Sequence, residues 1–191
     1  IRLELPELEE DIKGQTVLVT GAAGSIGSEL ARQIAINAPR KLILYDQAET
    51  PLYYLELELH DLAPDLEIIP VIASVTDPDA VTQVFDGHRP HKVYHAAAYK
   101  HVPLMEQNPR SAALTNILGT YLVGLAAARA GAQAFVLVST DKAVRPSNVM
   151  GATKQAAERA VLHLQEQYPD TSFGAVRFGN VLGSSGSVIP L

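Results

Sequence analysis

Three groups of residues in this 191-residue chain have types and spacings that could do chemistry. The first is Gly21-Ala22-Ala23-Gly24-Ser25-Ile26-Gly27, which follows the apolar run TVLVT at 16–20 and opens a helical pattern. Glycines there let backbone amides approach a pyrophosphate with no Cβ in the way, and a helix N-terminus adds partial positive charge. The next apolar run, KLILYD at 41–46, ends on Asp46. It lies about 20 residues on, where a carboxylate accepts the adenosine ribose hydroxyls of a dinucleotide. The same carboxylate repels a 2′-phosphate, and Tyr45, Gln47 and Ala48 offer no arginine to hold one. NAD is therefore expected rather than NADP. For Asp46 alone the bland alternative is a helix N-cap.

The second group is Ser139-Thr140-Asp141-Lys142, closing the run AFVLVST at 134–140. Ligands of open α/β sheets bind at the carboxyl ends of strands, so this hydroxyl, carboxylate and amine point into a cleft as anchor, acid and base. Neighbouring Asp and Lys form a solvated surface pair just as readily, and only the strand-end position argues otherwise. The third group is Met150-Gly151-Ala152-Thr153-Lys154. Many nicotinamide-dependent short-chain dehydrogenases carry Tyr at the first of these places and Lys at the last, where i and i+4 share a helical face and the ammonium lowers the phenol pKa. Met150 fills the tyrosine place, and none of the seven tyrosines precedes a lysine at that spacing. Proton chemistry must then pass to Asp141 and Lys142, or be lost. The plain alternative for Lys154 is a surface i,i+4 pair with Glu158.

These groups need a scaffold that brings strand ends together. Strands are expected at 16–20, 41–46, 66–72, 92–98, 134–140 and 172–180, and helices near 25–37, 48–62, 78–86, 109–130 and 148–167. Apolar strands alternating with helices predict an α/β fold, a doubly wound parallel (Rossmann) sheet with helices on both faces. His95-Ala96-Ala97-Ala98-Tyr99-Lys100-His101 follows the fourth strand, with small residues to lie beneath a nucleotide and three larger ones to reach a charged ligand. The spacing of His95 and His101 suits no common metal site, and no metal is expected. His60, His88, His91 and His163 read as scattered and solvated.

Composition limits the partners. Apolar residues make up 47% of the chain and the net charge is −6, with no basic tract, so nucleic acid is not an expected partner. No cysteine is present, which removes disulfides, thiolate metal sites and a thiol nucleophile. The charged opening, residues 1–14, reads as a linker from a longer chain, with the NAD-binding domain at 15–191.

TGAAGSIGSEL, HAAAYKHVPLMEQNP, STDKAVRPSNVMGATK and RFGNVLGSSGSVIPL together make the chain resemble the UDP-N-acetylglucosamine 4,6-dehydratases of the polysaccharide-biosynthesis group, within the extended short-chain dehydrogenase/reductases. The Asp-Lys pair with Met in the tyrosine place resembles its large, membrane-anchored type. The resemblance implies an NAD-dependent lyase acting on a UDP-sugar, with Thr140, Asp141, Lys142, Met150 and Lys154 at the reacting centre. It implies cofactor contacts from Gly21, Ala23, Gly24, Ser25, Ile26, Gly27, Asp46, Ser74, Val75, Ala96, Ala97, Ala98 and Lys154, and substrate contacts from Lys100, His101 and Asn180. Ala73-Ser74-Val75 departs from the group's Gly-Asp-Val, which leaves an adenine contact to Ser74 or to backbone. It also implies a homo-oligomer on the cytoplasmic face, anchored in the inner membrane by helices outside this stretch, and a substrate-binding segment downstream. Alternatives are an epimerase or reductase of the same superfamily, or a catalytically silent NAD-binding sensor.

Overall fold

The computed structural model describes residues 10–179. Six parallel strands, β1 (Thr16–Thr20), β2 (Lys41–Asp46), β3 (Glu67–Ile72), β4 (Lys92–His95), β5 (Ala134–Thr140) and β6 (Ser172–Phe178), lie in the order β3-β2-β1-β4-β5-β6. The expected doubly wound sheet is present. Its order reverses between β1 and β4, and the crevice at such a switch point is where ligands of these sheets bind.

Alternating side chains of one strand feed two cores, because the pleat sends neighbours to opposite faces. Leu18, Ile43, Val93, Phe135 and Leu137 pack under α3 (Pro78–His88), α6 (Thr120–Ala130) and α7 (Val149–Gln167) through Phe85, Val123 and Val161. Val17, Val19, Leu42 and Leu44 pack under α1 (Ser25–Ala35) and α2 (Glu49–Leu62) through Ala31, Ile34, Leu52 and Leu59. Ile12, within the stretch expected as a linker, is fully buried in this second core, and its neighbour Asp11 pairs with the buried Lys92.

Several expected boundaries move. The fourth strand stops at His95 rather than at 98, so 96–101 is loop, and a short helix, α4 (Val102–Gln107), follows it. The helix expected at 109–130 is three pieces: α5 (Pro109–Ala113), a π turn (Leu114–Gly119) and α6. Pro109–Ala130 is long and apolar enough to cross a membrane by length and composition. Here Ala112, Asn116, Thr120, Val123, Gly124 and Ala127 form its buried face. His91 is not simply solvated: its Nδ1 accepts the Thr16 amide at 3.0 Å.

Candidate active site

The glycine turn joins β1 to α1 with almost no room to spare. Gly21 has φ +64°, and a Cβ there would lie 2.6 Å from the Ala97 nitrogen. A side chain would be both strained and in collision with the chain leaving β4. Gly27 does different work. It does not face the cleft but lets α1 pack on the turn, since a Cβ would fall 2.0 Å from the Gly21 carbonyl oxygen. Gly24 caps α1 with extended backbone and no side-chain acceptor, so no side chain competes with an anion for the first turn.

The crevice in front of this turn is lined by Gly21, Gly24, Tyr45, Asp46, Gln47, Ala73, Ser74, Val75, Ala96, Ala97, Ala98, Tyr99 and Thr115. Of the expected cofactor residues, Gly21, Gly24, Asp46, Ser74, Val75 and Ala96 to Ala98 meet there. Ala23, Ser25, Ile26, Gly27 and Lys154 are outside the lining. The sequence reading missed Gln47, Ala73 and Thr115 as wall residues, and Tyr45 as more than a neighbour. Asp46 accepts the Ala23 amide at 3.0 Å on one oxygen and the Ala48 amide at 2.9 Å on the other. It therefore fixes the glycine turn as well as offering lone pairs to a ribose. The Tyr45 hydroxyl, on a ring 2% exposed, donates to the Ser74 carbonyl at 2.8 Å, and burial raises its pKa to about 12. The Ser74 hydroxyl is held by Thr76 at 2.8 Å, so Ser74 has both polar groups engaged within the protein.

β5 runs three residues past its pairing with β4, which ends at His95 opposite Leu137. Val138, Ser139 and Thr140 pair only with β6. On the open side their backbone faces α7, and there Lys154 donates to the Val138 carbonyl at 2.7 Å. Lys154 is 4% exposed and Glu158 7%, so the expected alternative of a solvated surface pair fails. Desolvation lowers the Lys154 pKa to about 8, with Glu158 acting in the opposite sense.

Thr140, Asp141 and Lys142 make a compact turn at the strand end. The Thr140 hydroxyl donates to Asp141 Oδ1 at 2.9 Å, and Lys142 Nζ stands 3.3 Å from the same oxygen. These contacts, Thr140 first, hold the Asp141 carboxyl below its ordinary pKa, and its side chain is 59% exposed. The turn is pinned to α7: Gln155 donates to the Ala143 carbonyl at 3.0 Å, and Gly151 packs so close that a Cβ would lie 2.5 Å from the Lys142 carbonyl oxygen.

Met150 points away from the crevice. It is 4% exposed and packs with Met105 and Ala112 beneath Val102 and Val149, leaving no proton donor in the tyrosine place. Lys100 and His101 are exposed beyond Tyr99 and outside the lining. Asn180 lies outside the described residues. Among the described residues no cluster of metal-binding side chains occurs.

A polar network that the sequence reading did not find runs behind the crevice. His95, fully buried, meets Thr20 at 2.7 Å through Nδ1 and Thr120 at 3.0 Å through Nε2. Thr120 donates its only hydrogen to the Asn116 carbonyl at 2.7 Å, so Nε2 must carry a proton and Nδ1 must accept from Thr20. Burial holds His95 neutral, with a pKa lowered to about 3. Asn116, in the π turn, accepts the Tyr99 amide at 2.8 Å and donates to the Tyr99 carbonyl at 3.1 Å and to Thr153 at 2.9 Å.

Residues 17–191 match the family described as polysaccharide biosynthesis protein. The chain is 49% identical over 192 residues to the capsular polysaccharide biosynthesis protein CapD of Staphylococcus aureus, covering all of this chain and 32% of that one. It is 35% identical to a UDP-N-acetylglucosamine 4,6-dehydratase (inverting) of Campylobacter jejuni, over 92% of this chain and 52% of that one. It is 32% identical to a UDP-glucose 4-epimerase of Rickettsia rickettsii, over 93% and 52%. The X-ray structure of Pen from Bacillus thuringiensis superimposes with a TM-score of 0.87 at 35% identity, over 94% of this chain and 55% of that one. The chain thus spans between a third and about half of the length of these proteins.

Proposed function

The chain belongs to the polysaccharide biosynthesis protein family, and on that premise we propose that it is the cofactor-binding part of an NAD-dependent 4,6-dehydratase that converts UDP-N-acetylglucosamine to a 4-keto-6-deoxy sugar nucleotide. The observation that carries this reading is the pairing of a packed-away Met150 with an Asp141–Lys142 pair presented at the end of β5. An epimerase or reductase on this scaffold would want a phenol at position 150. An elimination instead needs a base and an acid side by side.

A dinucleotide fits the crevice: Gly21 lets the turn close against the chain leaving β4, α1 has no side-chain cap, and Asp46 retains lone pairs for ribose hydroxyls. Bound NAD would supply a hydride acceptor for carbon 4 and a donor for carbon 6. Lys154 would hydrogen-bond the nicotinamide ribose and lend positive charge. Thr140 would anchor the sugar, whose carbon 4 ketone acidifies the carbon 5 proton.

A salt bridge between Lys142 Nζ and Asp141 Oδ1 is by itself the wrong arrangement for both roles, since the base needs a free amine and the acid a proton. Substrate seated on the turn would strip water from it, and desolvation favours the neutral form of two apposed charges. Transfer of one proton across 3.3 Å, from the Lys142 ammonium to the Asp141 carboxylate, creates a neutral amine and a carboxylic acid together. The amine then takes the carbon 5 proton and the acid gives its proton to the departing carbon 6 hydroxyl, which leaves as water. The carbon 4 hydroxyl proton freed on oxidation passes to solvent, and the Lys142 ammonium returns a proton to carbon 5 when carbon 6 is reduced.

The proposed partners are the UDP-sugar and a second copy of the chain, with the apolar groove around Leu114, Leu118, Tyr121 and Ala160 as the surface that would carry self-association. The proposed location is the cytoplasmic face of the inner membrane, reached through segments other than this one. Product NMR of the full-length protein with UDP-N-acetylglucosamine and NAD tests the reaction. Loss of the carbon 6 hydroxyl with deuterium uptake from solvent at carbon 5 is expected; a carbon 4 epimer formed without water loss would overturn it.

A further inference from the structure

Glu158 is the only buried acid among the described residues and has no part in the chemistry above. It sits on α7 one turn beyond Lys154 and accepts three hydrogen bonds from two strands. The Ser139 hydroxyl of β5 donates to it at 2.5 Å, and the Arg177 guanidinium of β6 donates to both its oxygens, at 2.9 and 2.6 Å. The Arg177 contact is the main cause that holds its carboxyl below the ordinary range. Bidentate guanidinium–carboxylate contacts fix orientation as well as charge. The Ser139 bond reaches the residue immediately before the Thr140–Lys142 turn. Glu158 thus touches the segment that carries the proposed acid and base.

We infer that Glu158 is a positioning residue: braced by Ser139 and Arg177, it locks the end of β5 to α7 and sets the surroundings of Lys154, one turn away on the same helix, for the cofactor. This rests on the NAD-binding reading above. The groups that face Lys154 are few. From α7 comes the Glu158 carboxylate, and from β4 the neutral His95 imidazole, while the Val138 carbonyl comes from β5. Arg177 acts through Glu158, and Asp141 and Lys142 form their own pair at the strand end. Among the described residues Glu158 is therefore the one anion that offsets burial of the lysine, and Arg177 draws part of its field away.

That arrangement predicts two opposite effects. The Lys154 Nζ resonance, followed against pH without cofactor, should titrate at a midpoint about one pH unit lower in Glu158→Gln. In Arg177→Gln the midpoint should rise, and Glu158→Asp should return it toward wild type. With NAD, the Kd of Glu158→Gln should grow roughly fivefold near pH 8 yet stay within about twofold near pH 6, where the lysine is charged in either protein. A brace without electrostatic effect would weaken binding equally at both pH values. Should Glu158→Gln fail to fold, the upward shift in Arg177→Gln still decides. Unmoved midpoints in both variants overturn the inference and leave the dehydratase reading standing. Shifted midpoints in the variants, with no NAD binding by the wild-type protein, overturn the NAD-binding reading and leave the electrostatic role intact.

Discussion

Asp46 has two duties, and they can be separated by substitution. It presents a carboxylate where a ribose would lie, and it accepts the Ala23 and Ala48 amides that shape the turn. Asp46→Asn keeps an acceptor for one amide while removing the charge. Its NAD/NADP affinity ratio should fall about tenfold, since 1.4 kcal/mol of lost repulsion is a factor of ten. An unchanged ratio in titration calorimetry refutes the assignment. Lys154 makes a prediction about stability. Its folded pKa of about 8 lies below the ordinary 10.5, so between these values the unfolded chain binds more protons and stability rises with pH. Below about pH 8 the full cost of burying the charge remains. Lys154→Met should therefore stabilise the free protein at neutral pH by roughly 1–3 kcal/mol while weakening NAD binding. Urea midpoints measured across pH check both the sign and the window. Gly21, Gly24 and Asp46 were legible as walls of the crevice because their place is tied to backbone geometry at fixed spacing, whereas Gly27 and Lys154 lie outside that lining. Thr115 and Gln47 were not, because a wall residue is defined only by what folds opposite it.

At the scale of elements, the π turn shows what periodicity cannot carry. Apolar spacing marks 109–130 as helical, but the extra residue per turn at Leu114–Gly119 leaves no trace in a pattern of apolar positions. The turn lets Asn116 clasp both backbone groups of Tyr99, and so sets one wall of the crevice. Asn116→Ala strands the Tyr99 amide and carbonyl and a Thr153 contact in a buried place. It should cost about 2–4 kcal/mol in thermal or urea unfolding and weaken NAD binding beyond the loss of fold. Thr153→Val removes only one of those bonds and should cost about 1–2 kcal/mol with cofactor affinity retained. The strands were legible throughout because β-branched runs fall between turn residues. The early stop of β4 at His95 was not, since Ala96 to Ala98 are as apolar as the strand before them. Beyond His95 one last bond runs from the Ala96 amide to the Thr20 carbonyl at 3.0 Å, and the Ala97 backbone then passes Gly21 too closely for a Cβ there.

Over the whole molecule, His95 links stability to acidity. A buried imidazole with a folded pKa near 3 against 6.5 unfolded binds fewer protons than the unfolded chain at any pH between them. Stability is therefore retained above about 6.5 and lost as pH falls below it, by up to roughly 4 kcal/mol at pH 3. His95→Gln should be less stable at neutral pH by about 1–3 kcal/mol but should flatten that acid slope. Equal slopes for the two proteins would assign acid unfolding to other groups. The hydrogen bonds around this imidazole all run one way, from Thr20 through His95 and Thr120 to the Asn116 carbonyl. Direction has a genetic consequence. Thr120→Val alone orphans Nε2–H and Thr20→Val alone orphans Nδ1, whereas replacing the imidazole together with both hydroxyls by apolar groups of similar shape leaves no ring nitrogen unpaired and forfeits the long 3.5 Å contact of the Ala97 amide with Thr20. The three positions should therefore show strong sign epistasis, each single change deleterious and the triple change near neutral, so that a lineage can cross between the polar and apolar versions only through costly intermediates.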